Sequence, residues 1–178
     1  MRPGLRPQPG ALDPDRTCNT PSPCFDIDPR RRSDTSMGLP ELLVAARRSR
    51  LARLALIPLN INIGAKVQIG RDLQLVHYGM GTVIYPDVTI GDRVRIYHQV
   101  TVGRKDAHRP REQSAFAGVD IGDDVVLFPG CKVLGGPGVT RIGNGTIVGA
   151  NAVVLGPTGD NEIWVGNPAR CVGLRDDR

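Results

Sequence analysis

An aliphatic residue recurs every six positions through most of the chain, and this period constrains the fold more than any other feature. The positions are Ile63, Ile69, Leu75, Ile84, Ile90, Ile96, Val102, Ile121, Leu127, Val133, Ile142, Val148 and Val154. A period of six matches no amphipathic helix and exceeds the two-residue alternation of a simple strand. It is typical of a solenoid in which each hexapeptide forms one short strand and turn. We therefore predict an all-β solenoid with the aliphatic side chains stacked inside.

Three interruptions of the period mark where loops should leave the solenoid. They are a short one at 78–83, a long one at 104–118 and a third at 135–141. Insertions in a solenoid map to loops on chosen faces and often line a binding site. We expect the chemistry to lie beside these loops, with 104–118 as the protruding loop.

Two segments of different composition precede the repeats. Residues 1–38 are rich in Pro, Arg, Asp and Ser and poor in aliphatic residues, which predicts a disordered tail. Residues 39–58 predict one amphipathic helix that caps the first coil, and a basic helix on a membrane surface is the alternative interpretation. The expected apolar face consists of Leu42, Ala45, Ala46, Leu51 and Leu54. Residues 59–178 would form the solenoid domain with a C-terminal cap.

Composition argues against several classes of protein. No apolar run reaches the ~18–20 residues that cross a bilayer. The net charge of +5 comes mostly from 39–55, with four arginines and one glutamate, whereas a nucleic-acid surface would be broader and interleaved with aromatic residues. The four cysteines lack CxxC spacing, which favours neither a zinc ribbon nor a disulfide framework. With no apolar secretory leader, we expect a reduced, cytoplasmic protein.

The histidines occupy related positions in the repeat. His77 follows Leu75 by two residues, and His98 follows Ile96 by two residues. After allowance for the first insertion, both lie on the same side of successive coils, which are about 4.8 Å apart. The two imidazoles should therefore stack in one column outside the solenoid. The third histidine, His108, lies in the long loop.

Several motifs resemble the hexapeptide-repeat acyltransferase superfamily, in particular the serine O-acetyltransferases and related bacterial polysaccharide acetyltransferases. The motifs are Ile69–His77, Gly81–Ile84, Val100–Gly103, Val148–Val154 and Val165–Arg170. The resemblance implies a left-handed parallel β-helix, with four coils and part of a fifth. That handedness comes from the resemblance, because parallel crossovers are otherwise right-handed.

The resemblance also implies a chemistry. The histidine that matches His77 is the general base, which removes a proton from an acceptor hydroxyl that then attacks the thioester of acetyl-CoA. Asn62 stands where the serine enzymes have the aspartate that orients this histidine. Gly103 stands where a backbone N–H can stabilise the oxyanion.

Recognition of the acceptor is where the chain departs from the serine enzymes. Those enzymes carry Asp-His where this chain has Val76 before the histidine, and the aspartate helps to hold serine. They carry Arg-His-Pro in the long loop, where this chain has His108 and Arg109 in exchanged order before Pro110. We assign His108 a catalytic role, and His98 and Arg109 contacts with the acceptor. Serine and a sugar or natural-product hydroxyl both remain open as acceptors.

The coenzyme is expected in a groove between neighbouring subunits of a homotrimer, as the resemblance implies. Small residues of the later coils would contact the pantetheine arm, and basic residues would contact the phosphates. By family position, the coenzyme residues are Pro129, Lys132, Arg141, Gly149, Ala150, Asn167 and Arg170.

Two other functions use the same solenoid. A zinc carbonic anhydrase needs three histidine ligands, two of them in H-x-x-x-x-H spacing, and this chain lacks that spacing. We therefore expect no metal. A non-catalytic assembly module is the other alternative, because the chain lacks both carboxylates that flank the histidine in the serine enzymes.

Overall fold

The structure is a computed structural model that describes residues 38–46 and 48–176. The predicted tail therefore lies almost entirely outside the described residues. Within the described residues, fifteen short strands form three sheets. Equivalent strands of successive coils pair in parallel, and the last strand pairs antiparallel with the strand before it. The first sheet contains β1 (Asn62–Ile63), β4 (Val83–Ile84), β7 (Thr101–Arg104), β10 (Lys132–Gly135) and β13 (Val153–Val154). The second contains β2 (Gln68–Ile69), β5 (Val88–Ile90), β8 (Phe116–Ile121) and β11 (Gly138–Ile142). The third contains β3 (Gln74–Leu75), β6 (Arg95–Ile96), β9 (Val126–Leu127), β12 (Ile147–Val148), β14 (Glu162–Gly166) and β15 (Ala169–Leu174).

The repeat positions form the core, as the period predicted. Each coil contributes one strand to each sheet, and Leu75 pairs beside Ile96 in parallel register. Ile84, Ile90 and Ile96 are 1% exposed or less, and the corresponding side chains of later coils stack upon them. The fold is the left-handed parallel β-helix, with four complete coils and part of a fifth.

One corner of the solenoid is held together by short polar side chains that the period did not predict. The backbone N–H of Arg71 donates to Asp92 Oδ1 at 2.7 Å, and the N–H of Asp92 donates to Asp123 Oδ1 at 2.8 Å. The N–H of Asp123 donates to Asn144 Oδ1 at 2.9 Å, and that of Asn144 to Asp160 Oδ1 at 2.7 Å. Each side chain thus satisfies a corner N–H of the coil before it, a group that the short strands leave unpaired.

Ion pairs at this corner make stability depend on pH. The backbone N–H and guanidinium of Arg71 lower the pKa of Asp92 below its ordinary 3.8. The guanidinium of Arg93, which donates two hydrogen bonds at 2.8 and 2.7 Å, likewise lowers the pKa of Asp124. A lowered folded-state pKa adds stability above the unfolded-state pKa, and this stability is lost as the pH falls through the folded-state value.

Acid should therefore lower the free energy of unfolding of the wild type. The Asp124→Asn variant should show a weaker dependence of this free energy on pH. We expect the free energy of unfolding to fall between about pH 5 and pH 3 in the wild type and to fall less in the variant. Chemical denaturation at several pH values measures both. Asp72→Asn is the matched control, because Asp72 is an exposed aspartate outside these ion pairs. Equal slopes for Asp124→Asn and the wild type would contradict the role of this pair.

The N-terminal cap consists of two helices, so the expectation of one continuous helix is wrong. They are α1 (Leu39–Ala45) and α2 (Arg50–Leu56), followed by a 3-10 turn at Ile57–Leu59. The expected apolar face is not buried either: Leu42, Leu51 and Leu54 are 50%, 77% and 60% exposed, and Ala45 and Ala46 are exposed as well. Val44 and Leu56 pack on the core instead. The break allows each short helix to turn a different pair of residues toward the first coil.

The cap satisfies the open edge of the first coil. Glu41 Oε1 accepts a hydrogen bond from the backbone N–H of Leu75 at 2.8 Å, so α1 covers the end of β3. The backbone N–H of Gly81 donates to the carbonyl oxygen of Leu59 at 3.1 Å. Unpaired strand edges invite association with other chains, and this cap removes part of that edge. No helix of the described residues is long and apolar enough to cross a membrane.

The last coil is closed by an antiparallel hairpin of β14 and β15. Trp164 Nε1 donates to Glu162 Oε2 at 2.7 Å, and Arg175 Nη1 donates to the carbonyl oxygens of Asp124 and Gly145, each at 3.0 Å. Arg175 therefore ties the chain end back to two earlier coils.

Candidate active site

The turn after β3 carries His77 in an unusual backbone conformation. A 3-10 turn at Val76–Gly79 leads out of the strand, and within it His77 has φ 53° and Tyr78 has φ 62°. Residues other than glycine rarely adopt positive φ, and such strained positions concentrate at functional sites. The turn fixes where the His77 side chain leaves the solenoid.

His77 and His98 form a contacting pair, as their register predicted. Leu75 pairs with Ile96, which brings the two histidines onto successive coils. Their ring centroids are 5.4 Å apart, and His77 Nδ1 lies 3.3 Å from His98 Nδ1. Because two lone pairs would repel, one Nδ1 must carry the proton that it donates to the other.

Aromatic rings support the pair from the neighbouring face. Tyr97 meets the His77 ring edge-on, with centroids 5.9 Å apart and planes at 90°. Tyr97 in turn stacks on Phe128, with centroids 5.1 Å apart. These contacts restrict the orientation of the His77 imidazole, which is otherwise exposed.

The histidine pair opens into a cavity of about 450 Å³. The other lining residues are Pro58, Leu59, Asn60, Met80, Gly81 and Gln99. Among the described residues, this lining combines amide and apolar side chains and contains no lysine, arginine, aspartate or glutamate. The cavity can therefore offer hydrogen bonds and apolar contact to a small molecule, but no ion pair.

The same edge of the solenoid continues past the pair into the later coils. The N–H of Gly130 donates to the carbonyl oxygen of His98 at 3.0 Å, and the N–H of Asn151 donates to that of Pro129 at 3.0 Å. Pro129, Gly149 and Ala150 thus lie on the edge that carries His98, one and two coils further along. A Cβ at Gly149 would lie 2.8 Å from Val165 Cγ1, so the next coil packs closely against this glycine. The structure thus places His77, His98 and the expected pantetheine positions along one edge.

The remaining coenzyme residues are more dispersed. Lys132 lies beside this edge, and its Nζ donates to the carbonyl oxygen of Gly130 at 2.8 Å. Asn167 and Arg170 lie in the hairpin that closes the last coil. Arg141 lies on β11 of the second sheet, which does not border this edge. The structure therefore separates Arg141 from the others within one chain.

Asn62 and Gly103 do not contact the histidine pair through the groups expected of them. Asn62 lines a different depression with Arg50 and Arg53, and within the described residues it makes no side-chain hydrogen bond to His77. Gly103 lies inside β7, between N–H groups at 101 and 105 that both donate to the next coil. Because alternate N–H groups of a parallel strand point to the same neighbour, the Gly103 N–H is directed at β10.

His108 and Arg109 are exposed in the long loop. The loop is anchored internally, because Arg104 Nη2 donates to the carbonyl oxygen of Arg109 at 2.6 Å. Arg111 Nη2 lies 3.3 Å from Asp87 Oδ2, which ties the loop to the second coil. In the described part of the chain, neither His108 nor Arg109 contacts the histidine pair, and no three His, Cys, Asp or Glu side chains converge as metal ligands would.

Comparison with known proteins identifies the family. Serine acetyltransferase from Helicobacter pylori is 39% identical over 129 residues, which are 72% of this chain and 68% of that protein. The chain belongs to the serine acetyltransferase family. Serine acetyltransferase from Staphylococcus aureus is 40% identical over 114 residues, which are 64% of this chain and 48% of that protein. The chain thus spans about half the length of the staphylococcal relatives. No protein-family model matches it.

Solved structures of serine acetyltransferases share the fold. The enzyme from Vibrio cholerae aligns with a TM-score of 0.61 and 27% identity, over 78% of this chain and 51% of that chain. The soybean apoenzyme aligns with a TM-score of 0.58 and 28% identity, over 75% and 54%. A serine acetyltransferase in complex with CoA aligns with a TM-score of 0.57 and 26% identity, over 75% and 52%.

Sequence reasoning missed the contact between the Nδ1 atoms of His77 and His98. It placed His98 in the column of His77 but did not identify His98 as the group on His77 Nδ1. The Leu75–Ile96 register contained that signal, because neighbouring strands separate equivalent side chains by only about 4.8 Å.

Proposed function

We propose that the chain transfers an acetyl group from acetyl-CoA to the hydroxyl of a small acceptor, with His77 as general base. The observation that carries this proposal is the exposed His77 on a strained turn, at one end of a column of small residues, in a chain of the serine acetyltransferase family. Positive φ recurs at other corner residues of the solenoid, such as Asp72, Gln99 and Asn151, so the contact with His98 and the adjoining cavity, rather than the strain alone, favour an enzyme over a non-catalytic assembly module. We propose that the protein is located in the cytoplasm, where acetyl-CoA is available for the reaction.

The chemistry requires one proton to move twice. His77 Nε2 accepts the proton of the acceptor hydroxyl while the hydroxyl oxygen bonds to the thioester carbonyl carbon. The tetrahedral intermediate then breaks its carbon–sulfur bond, and His77 returns the proton to the departing sulfur. The products are the acetyl ester and CoA with a free thiol. Because the Gly103 N–H is directed at β10, we do not assign it the oxyanion.

The coenzyme is proposed to lie along the column that continues from the histidine pair. Pro129, Gly149 and Ala150 would contact the pantetheine arm, since small residues there leave the edge open to an extended chain. Asn167 and Arg170 would face the nucleotide end, with Lys132 beside the edge.

The assembly is proposed to be a homotrimer with sites between subunits. The cavity at the histidine pair is open, and a neighbouring solenoid would supply its missing wall. Arg141, on the sheet that does not border the edge, could then reach a phosphate in the site of a neighbour. The exposed loop residues His108 and Arg109 could likewise face an acceptor bound at such a boundary.

A second candidate for the acceptor is an uncharged hydroxyl compound, such as a sugar, rather than serine. The serine-named relatives favour the amino acid. The cavity lining favours the uncharged compound, because it offers no charged side chain to the ammonium or carboxylate of serine. Burying an unpaired charge is costly, so amide and apolar side chains suit a neutral acceptor better.

Thiol release from acetyl-CoA tests the function and distinguishes the acceptors. The full chain would be assayed with L-serine, homoserine and simple sugars, with a blank that contains no acceptor. We expect acceptor-dependent, saturable release of CoA, larger with a sugar than with serine if the uncharged lining decides. Binding of acetyl-CoA would be measured in parallel by calorimetry. Absence of binding would overturn the proposal and favour an assembly module.

A further inference from the structure

We propose that His98 is the positioning residue of the site, and that its neutral Nδ1 accepts the Nδ1 proton of His77. This leaves a lone pair on His77 Nε2, which is the atom that must accept the proton of the acceptor. The inference rests on the proposed function for the direction of the hydrogen bond and for the use of that lone pair. The hydrogen bond itself rests on the 3.3 Å separation of the two Nδ1 atoms.

The contact admits two neutral arrangements with opposite consequences. If His77 donates, His77 Nε2 is free to accept a proton and His98 carries its proton on Nε2. If His98 donates, the proton of His77 is on Nε2 and His77 cannot act as a base. His77 is exposed whereas His98 is half-buried, so the free nitrogen that a substrate can approach belongs to His77. We therefore assign His77 as the donor, because the proposed reaction needs a free ring nitrogen that a substrate can reach.

His98 would take the role that was expected of Asn62, which is to orient the His77 ring. A histidine base needs a partner on its second nitrogen that fixes the tautomer and the ring orientation, as an aspartate does in catalytic triads. Within the described residues, Asn62 makes no such contact, and the groups around the pair are the Tyr97 ring, Asn60 and Gln99. His98 is the side chain that faces His77 Nδ1.

The hydrogen bond would also strengthen during the reaction. When His77 accepts the acceptor proton, it becomes an imidazolium whose Nδ1–H donates to the neutral His98 ring. A hydrogen bond from a charged donor is shorter and roughly twice as strong as a neutral one. A neutral histidine can thus support the cationic state without a carboxylate in the cavity. Only interactions that strengthen in this way accelerate the chemical step.

Nitrogen-15 NMR of the imidazole rings tests the tautomer without any assay of activity. The sequence has three histidines, so a histidine-labelled full chain gives three ring systems, which His77→Ala and His98→Ala variants assign. The spectra would be recorded at about pH 8.5 and compared with those of free histidine at the same pH. We expect His77 to carry its proton on Nδ1 in the wild type. We expect it to revert to the Nε2–H form, which predominates in free histidine, in His98→Leu. A His77 proton on Nε2 in the wild type would overturn the inference.

Matched substitutions at His98 test the consequence for turnover. Asparagine places its amide oxygen close to the position of Nδ1 and can accept the same hydrogen bond, whereas leucine fills similar space and accepts none. We expect His98→Leu to lower kcat about 100-fold with little change in the KM for acetyl-CoA, and His98→Asn to restore most of the loss. Equal losses in both variants would contradict positioning by a hydrogen bond.

The two tests separate failure of this inference from failure of the proposed function. A chain with no transferase activity that still shows the Nδ1–H tautomer would retain the inferred contact and lose the proposed reaction. An active chain in which His98→Leu has unchanged kcat would retain the reaction and exclude the positioning role. Gln68→Ala, an exposed change on β2 away from the pair, is the control for both measurements.

Discussion

His77→Ala is expected to lower acceptor-dependent release of CoA about 10³-fold. A positioned general base contributes about 10²–10⁴ to the rate, and alanine removes both the base and its hydrogen bond to His98. The side chain is exposed and lies outside the core, so the fold should survive. The measurement is kcat/KM for the acceptor at saturating acetyl-CoA.

Two controls accompany the His77→Ala measurement: the affinity for acetyl-CoA and a variant remote from the site. The Kd of acetyl-CoA should change less than about threefold, because the proposed pantetheine contacts lie in later coils. Lys66→Ala, an exposed change in the first coil, should leave both turnover and binding unchanged. A His77→Ala variant that keeps more than about a tenth of wild-type turnover would remove His77 as the base.

Leu127→Ala is expected to reduce the free energy of unfolding by about 2–5 kcal/mol. Leu127 is fully buried in the middle of the solenoid and stacks between the inward residues Ile96 and Val148. Alanine removes apolar contact with both neighbouring coils and leaves a cavity. The strand cannot move to close it, because it is hydrogen-bonded to a strand on each side. Chemical denaturation at fixed protein concentration measures the change, since an oligomer's stability depends on concentration.

Leu155→Ala is the matched control, because it removes the same atoms from a side chain that is 44% exposed. We expect a loss below about 1 kcal/mol there. Similar losses for the two variants would mean that the stacked core does not dominate the stability of the solenoid.

The fold could be predicted because the six-residue period follows from the geometry of the coil itself. Most parallel strand pairs repeat one register, so the positions of Ile84, Ile90 and Ile96 indicate which side chains of later coils point inward. The N-terminal cap could not be predicted in the same way. Its two helices bury Val44 and Leu56 rather than the leucines of the amphipathic pattern, because contact with the first coil overrides local periodicity.

The site was predictable to the extent that it follows the repeat. The contact of His77 with His98 and the shared edge of Pro129 and Ala150 both result from coil register. The places of residues in the long loop could not be derived, because no period governs a loop. The direction of the Gly103 N–H could not be predicted either, because it depends on which of the two adjacent strands each N–H of a parallel strand faces.

A crystal structure of the full chain with CoA tests the central claim most directly. The claim is that the edge carrying His77 is where acetyl transfer takes place. We expect the CoA sulfur within about 5 Å of His77 Nε2, the reach of one bridging water. The pantetheine arm should run along the edge past Pro129 and Ala150. A CoA molecule bound elsewhere, with its sulfur far from His77, would contradict the claim.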